Sequence, residues 1–222
     1  MEQKTGRRTV HLRQSHVVDE LQRLVPGARV SGGTFGHWLP PPAAVRRDER
    51  ASILDEARRA ATSRCLKDLL VGVGLPATVP DALAGGGRVW PQGHTGSVSH
   101  KGTTVVATIA HVERFLSVGI DIETLDTQDL SGIPGLVAAA ETPPALPDGQ
   151  RLGALFSAKE AIFKAAYPVC RRRLEFGDVT VDWAKGPAQG LVGSARYDDV
   201  EVQVRCSVAI PTWAVAIAVV LP

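Results

Sequence analysis

VGIDIE, residues Val118 to Glu123, sets two carboxylates, Asp121 and Glu123, inside an otherwise apolar run. Its β-branched composition reads as a strand. In a strand, side chains two apart point the same way. Asp121 and Glu123 therefore converge on one side, and Ile120 and Ile122 turn to the other. Two like charges so close repel unless a cation sits between them. Alone, a D-x-E of this kind is most often a strand end where two acids reach water. A third acid, in a second motif, changes that reading.

Upstream, TTVVATIAHV (Thr103 to Val112) is a β run, and GSVSH (Gly96 to His100) a short strand. A brief turn at Glu113 and Arg114 leads into FLSVGIDIE, so these two runs are predicted to pair as a hairpin. Earlier still, RRDERASILDEARRAATSRCLKDLL (Arg46 to Leu70) carries Leu54, Ala57, Ala61, Cys65 and Leu69 at helical spacing. Gly72 and Gly74 end that amphipathic helix, and Pro76 follows. Residues 1 to about 45 are mixed, with a turn-rich SGGTFGHWLPPP, and residues 76 to 93 read as loop.

Downstream, residues 124 to 150 are irregular. RLGALFSAKEAIFKAAYP (Arg151 to Pro168) is the second predicted helix, with Pro168 ending it. Three strand candidates follow: DVTVDW, DVEVQVRCSVAI and WAVAIAVVL. The last is apolar on both faces and is expected to be central. Helix then strands, twice over, indicates an α+β fold of two similar halves, about residues 1–115 and 116–222, each a long helix on a small, mainly antiparallel sheet.

With 222 residues, 44% of them hydrophobic, the chain can bury a real core without disulfides or a structural metal. A formal net charge of +2 argues against a general nucleic-acid binder. Three scattered cysteines, Cys65, Cys170 and Cys206, make neither a disulfide framework nor a zinc motif. The N-terminus lacks an apolar signal-peptide core, and WAVAIAVVLP is about half a membrane span. A cytoplasmic protein without membrane or nucleic-acid partners is the expectation.

The second motif is FSAKEAIFKA, Phe156 to Ala165. Glu160 and Lys164, four apart, share a helix face, and with Ser157 they form a polar stripe on an apolar helix. On the plainer reading, this is an exposed ion pair worth a few tenths of a kcal/mol. If the stripe faces the strand acids, three carboxylates meet. Three carboxylates with waters make a hard site suited to Mg²⁺, usually completed by substrate phosphates.

These motifs, GIDIE and FSAKEAIFKA, with the upstream VWPQGHTGSVSH (Val89 to His100), resemble the 4'-phosphopantetheinyl transferases of the Sfp and enterobactin-synthase type. The resemblance covers roughly residues 46 to 185. It implies transfer of the phosphopantetheine arm of coenzyme A to a serine of an apo acyl or peptidyl carrier protein, releasing 3',5'-ADP. It also implies a monomeric pseudo-dimer with its site in the cleft between halves, serving secondary-metabolite (polyketide or nonribosomal-peptide) synthases. An alternative is a catalytically impaired homologue that only binds coenzyme A.

By the same resemblance, Asp121, Glu123 and Glu160 are the Mg²⁺ ligands, with Mn²⁺ as a possible substitute; Glu160 is also the candidate base for the serine hydroxyl, directly or through a metal-bound water, but the two roles compete and ligand comes first. Lys159 and Lys164 lie near the pyrophosphate. Ser99 and His100 contact coenzyme A phosphates, and Arg59 meets the 3'-phosphate. Arg46, Arg47 and Arg50 compete for the preceding basic position of the first helix, where this chain lacks the family's K-R-x-x-E-F-x-x-G-R pattern. Ahead of the W-P, where some relatives have a lysine-bearing loop, either Arg88 substitutes or the nucleotide end is held more loosely. Lys101 takes a position where relatives have a small or sulfur residue, placed to add a phosphate contact. Glu141 resembles an acid before the second helix. Arg171, Arg172 and Arg173 form a basic patch able to steer an acidic carrier protein.

Overall fold

The computed structural model describes residues 14–35, 46–83, 87–125, 130, 132–133, 136, 146–184, 191–197 and 199–222. In chain order the elements are α1 (Gln14–Leu24), β1 (Arg29–Thr34), α2 (Arg47–Gly72), β2 (His94–Lys101), β3 (Thr104–His111), β4 (Ser117–Thr124) and α3 (Asp148–Cys170). A 3-10 turn (Phe176–Asp178) then leads to β5 (Asp182–Ala184), β6 (Leu191–Tyr197), β7 (Val200–Ser207) and β8 (Trp213–Val220). The strands form two antiparallel sheets, ordered β1-β3-β2 and β4-β8-β7-β6-β5. The protein is α+β, as its sequence indicates.

Packing follows side-chain size. α2 lays Ala61, Cys65, Leu66, Leu69 and Leu70 on Val105, Ala107 and Ile109 of β3. α3 presents small residues, Ala154, Ala158, Ala161 and Ala165, to Ala216 and Ala218 of β8 and Val204 of β7. This lets helix and sheet approach closely. The other side of β8 (Val215, Ile217, Val219) joins Val118, Ile120 and Ile122 of β4 and Val17 and Leu21 of α1. Each fully buried isoleucine here contributes about 1.5–3 kcal/mol of transfer free energy. β8 has ladder partners on both sides and buried residues on both faces, so it is central as expected.

Four local expectations change. The hairpin is β2–β3, closed by a two-residue turn in which Gly102 takes φ 55°. β3 already has ladder neighbours on both sides, so β4 crosses to the second sheet and pairs with β8. α3 continues through Pro168 to Cys170, because a proline in the last turn forfeits only one helical hydrogen bond. DVTVDW divides into the 3-10 turn, two buried valines (Val179, Val181) and the short β5. α1, β1 and β6 are additional elements. α1 is amphipathic, burying Val17, Leu21 and Leu24 at helical spacing.

All three cysteines are reduced. Burial pushes the Cys65 thiol up to about 11 and the Cys206 thiol up to about 12, so both are inert at neutral pH. Among the described residues no helix is long and apolar enough to cross a membrane.

Candidate active site

β4 is the edge strand of its sheet, and β2 of the other sheet runs along its open side. Ser97, Ser99 and Lys101 share one face of β2, two residues apart, and meet successive points of β4. Ser97 Oγ accepts a hydrogen bond from the Ile120 amide at 3.2 Å. Ser99 Oγ donates to Asp121 Oδ1 at 2.8 Å. Lys101 Nζ lies 2.5 Å from Glu123 Oε2. A row of small polar side chains thus covers an edge that would otherwise expose unpaired backbone groups.

The third contributor is α3. Gly119 brings it in: a methyl group there would overlap the Ala161 carbonyl oxygen and lie 2.6 Å from the Ala165 nitrogen. Asp121 and Glu123 share Gly119's side of the strand, so both acids face the helix. Lys164 Nζ donates to Asp121 Oδ1 at 2.7 Å and to Ser99 Oγ and the Ile120 carbonyl at 3.1 Å each. The residues of three separate motifs meet at one carboxylate oxygen. Asp121 is only 4% exposed, and its other oxygen, Oδ2, is shielded and has no hydrogen-bond partner among the described residues.

Glu160 stands one turn before Lys164. Burial, and then the nearby Asp121 charge, push its carboxyl above the usual carboxylate range. Lys164 pulls it back, Glu123 adds to the rise, and Arg173 opposes it. The three acids therefore sense one another. Among the described residues, however, no three His, Cys, Asp or Glu side chains stand in a closed metal-holding group. Asp121 and Glu123 are instead each engaged by an ammonium. The donor chemistry still fits a hard divalent cation. A buried carboxylate oxygen lacks a partner, and the adjacent acid is one whose charge its neighbours disfavour.

His100 is exposed at the end of β2, its Nε2 2.7 Å from Arg58 Nη1 on α2. Because arginine only donates, His100 Nε2 accepts and Nδ1 carries the proton. Arg59, the residue expected to meet the 3'-phosphate, is 68% exposed and pairs with Asp55 at 2.7 Å. Arg58, which also pairs with Asp55, is the α2 arginine that contacts His100, and the sequence reading did not single it out. Its signal was present, since Arg58 lies one turn from Leu54 and Ala61 on the sheet-facing flank of the helix, and Arg59 does not.

The remaining expected site residues scatter. Lys159 is not beside Lys164: it is buried, and its Nζ donates to the Phe176 carbonyl at 2.8 Å, tying α3 to the 3-10 turn. The two lysines are five positions apart, about 140° around the helix, which turns them to different faces. Arg88 donates to the Pro80 carbonyl at 2.8 Å, bracing its own loop. Arg50 Nη1 is buried without a partner among the described residues, and the Arg46 amide donates to Glu49 Oε2 at 3.4 Å. The Arg47 side chain and Glu141 lie outside the described residues. After α3, Arg171 takes φ 58°, and the Arg172 guanidinium sits 4.9 Å from the Tyr197 ring centre.

Comparison with known proteins agrees with this geometry. The family model of the 4'-phosphopantetheinyl transferase superfamily matches residues 117–218, from the start of β4 into β8. The 4'-phosphopantetheinyl transferase Npt of Nocardia iowensis is 32% identical over 122 residues, 53% of this chain and 54% of that protein. The match thus spans about half the length of the Nocardia relative. The 4'-phosphopantetheinyl transferase PptT of Mycobacterium tuberculosis is 30% identical over 158 residues, 65% of this chain and 68% of that protein. With that coverage, and with three separated motifs joined at Asp121, the chain belongs to the 4'-phosphopantetheinyl transferase superfamily.

Proposed function

We propose that this chain transfers the 4'-phosphopantetheine arm of coenzyme A to a serine of an apo acyl or peptidyl carrier protein, releasing 3',5'-ADP. The observation that carries the reading is the knot of Ser99, Asp121 and Lys164, which sets an ammonium and a half-satisfied buried carboxylate at one point. The serine oxygen attacks the pyrophosphate phosphorus that bears the pantetheine arm. A new P–O bond forms, the P–O bond to 3',5'-ADP breaks, and the serine proton passes to a carboxylate.

The chain's residues divide that work. Lys164 supplies a fixed positive charge for oxygens that gain charge as the bond breaks. Glu160, its proton affinity raised by burial, is the base for the serine hydroxyl. Ser99 holds Asp121 and Lys164 in register. Arg58 and His100 offer donors to a phosphate at the nucleotide end of coenzyme A. Asp121, Glu123 and Glu160 would hold a Mg²⁺ ion, with Mn²⁺ as a substitute, whose charge offsets that of the pyrophosphate.

The finer reading is a cytoplasmic monomer built as a pseudo-dimer, of the Sfp and enterobactin-synthase type, serving carriers of secondary-metabolite synthases. The test is mass spectrometry of an apo carrier protein incubated with this protein, coenzyme A and Mg²⁺. The expected result is a gain of about 340 Da, one phosphopantetheine, that disappears with a chelator. Tight coenzyme A binding with no gain on several carriers would favour a binder without turnover.

A further inference from the structure

The two strand acids are neutralised from different elements. Asp121 has Lys164 of α3, which the motif itself supplies. Glu123 has Lys101 of β2, whose Nζ lies 2.5 Å from Oε2. That placement is set by backbone. Lys101 is the last residue of β2, on the face that carries Ser97 and Ser99, and the two-residue turn at Gly102 fixes where the strand stops. Its side chain is 38% exposed, while that of Glu123 is 12% exposed. The ammonium therefore reaches in from solvent to cap a largely buried carboxylate. The Thr124 amide donates to the same Oε2 at 3.3 Å, so this oxygen already has two partners.

Resting on the metal reading above, we propose that Lys101 is an internal counter-cation that competes with the divalent ion for Glu123 and so sets the metal affinity of this site. A metal ion can take Glu123 Oε2 only when the Lys101 ammonium withdraws. Lys101 can do so easily, because its long stem ends near solvent. Lys164 cannot withdraw as freely, since three groups hold its Nζ: Asp121, Ser99 and the Ile120 carbonyl. Entry of the ion exchanges one cation for another at Glu123, leaving the lysine beside the phosphate-binding region.

The test is direct Mn²⁺ binding, followed by electron paramagnetic resonance of the free ion, with no coenzyme A present. Lys101→Met should bind Mn²⁺ about two- to fivefold more tightly than the unaltered protein, the size expected for removing one competing, partly exposed ion pair. Lys101→Arg, which keeps the charge, should stay near the unaltered affinity. In a Glu123→Gln background, Lys101→Met should gain much less, because the contested oxygen is gone. Equal or weaker binding by Lys101→Met, with Asp121→Asn still abolishing binding, overturns the proposal and leaves the metal reading intact. No Mn²⁺ binding by the unaltered protein or by Lys101→Met overturns both. Circular dichroism melts of each variant confirm that the compared proteins are folded.

Discussion

Asp121 is the residue on which the three motifs close, and substitutions around it should separate chemistry from folding. Asp121→Asn keeps the shape and an acceptor oxygen for both Ser99 and Lys164, so melting should change little while transfer to an apo carrier falls below detection by mass spectrometry. Lys164→Ala should lower kcat by roughly 10²–10³-fold, the usual loss when one fixed charge-stabilising donor is removed. Glu160 predicts a pH effect of defined sign. Folding raises its pKa, so its favourable contribution is complete below the ordinary carboxylate value and is lost as pH rises through the raised one. In chelator, Glu160→Gln should therefore melt higher at neutral pH, with the gain fading as pH falls to the ordinary carboxylate range. An unchanged melt at pH 7 would contradict the burial of Glu160 and the negative charge beside it. These acids were legible in the sequence because D-x-E and the Glu160–Lys164 spacing each fix a face. Arg58 was not singled out, and Lys159 was placed beside Lys164, because motif spacing does not report the azimuth at which a helix docks.

At the scale of elements, the seam between α3 and β4 depends on having no side chain at Gly119. Gly119→Ala should cost about 3 kcal/mol or more in denaturant unfolding, since the new methyl meets helix backbone that cannot move aside. Gly102→Ala has open space around it and loses only its turn conformation, costing about 1 kcal/mol. Similar costs for the two would refute the close helix–strand approach. Both long helices and the central position of β8 could be read from periodicity alone. The β3–β4 pairing could not. Two adjacent β runs joined by a short turn look like a hairpin, and only the prior claim of β1 on β3 sends β4 elsewhere. β6 was missed because two of its inward positions carry only Gly193 and Ala195, and Val192 sits among the outward ones, which leaves little apolar alternation to read.

For the whole molecule, the site draws on both sheets: α2 and β2 give Arg58, Ser99, His100 and Lys101, and β4 and α3 give the acids and Lys164. The nucleotide end and the reacting end should then be separable by kinetics. Arg58→Ala should raise KM for coenzyme A about tenfold with kcat nearly kept, in contrast to Lys164→Ala; Arg59→Ala should have the smaller effect. The ladder between β4 and β8 also has a consequence during synthesis. The strand that carries Asp121 and Glu123 has no ladder partner until residues 213–220 exist, about 90 residues later. At about 5–20 residues per second, that is a wait of several to about twenty seconds at the ribosome. Throughout it, an apolar edge is open to other nascent chains, and the two negative charges act as gatekeepers against mispairing. Replacing both with asparagine should therefore lower soluble yield in cells more than it lowers the stability of the folded protein.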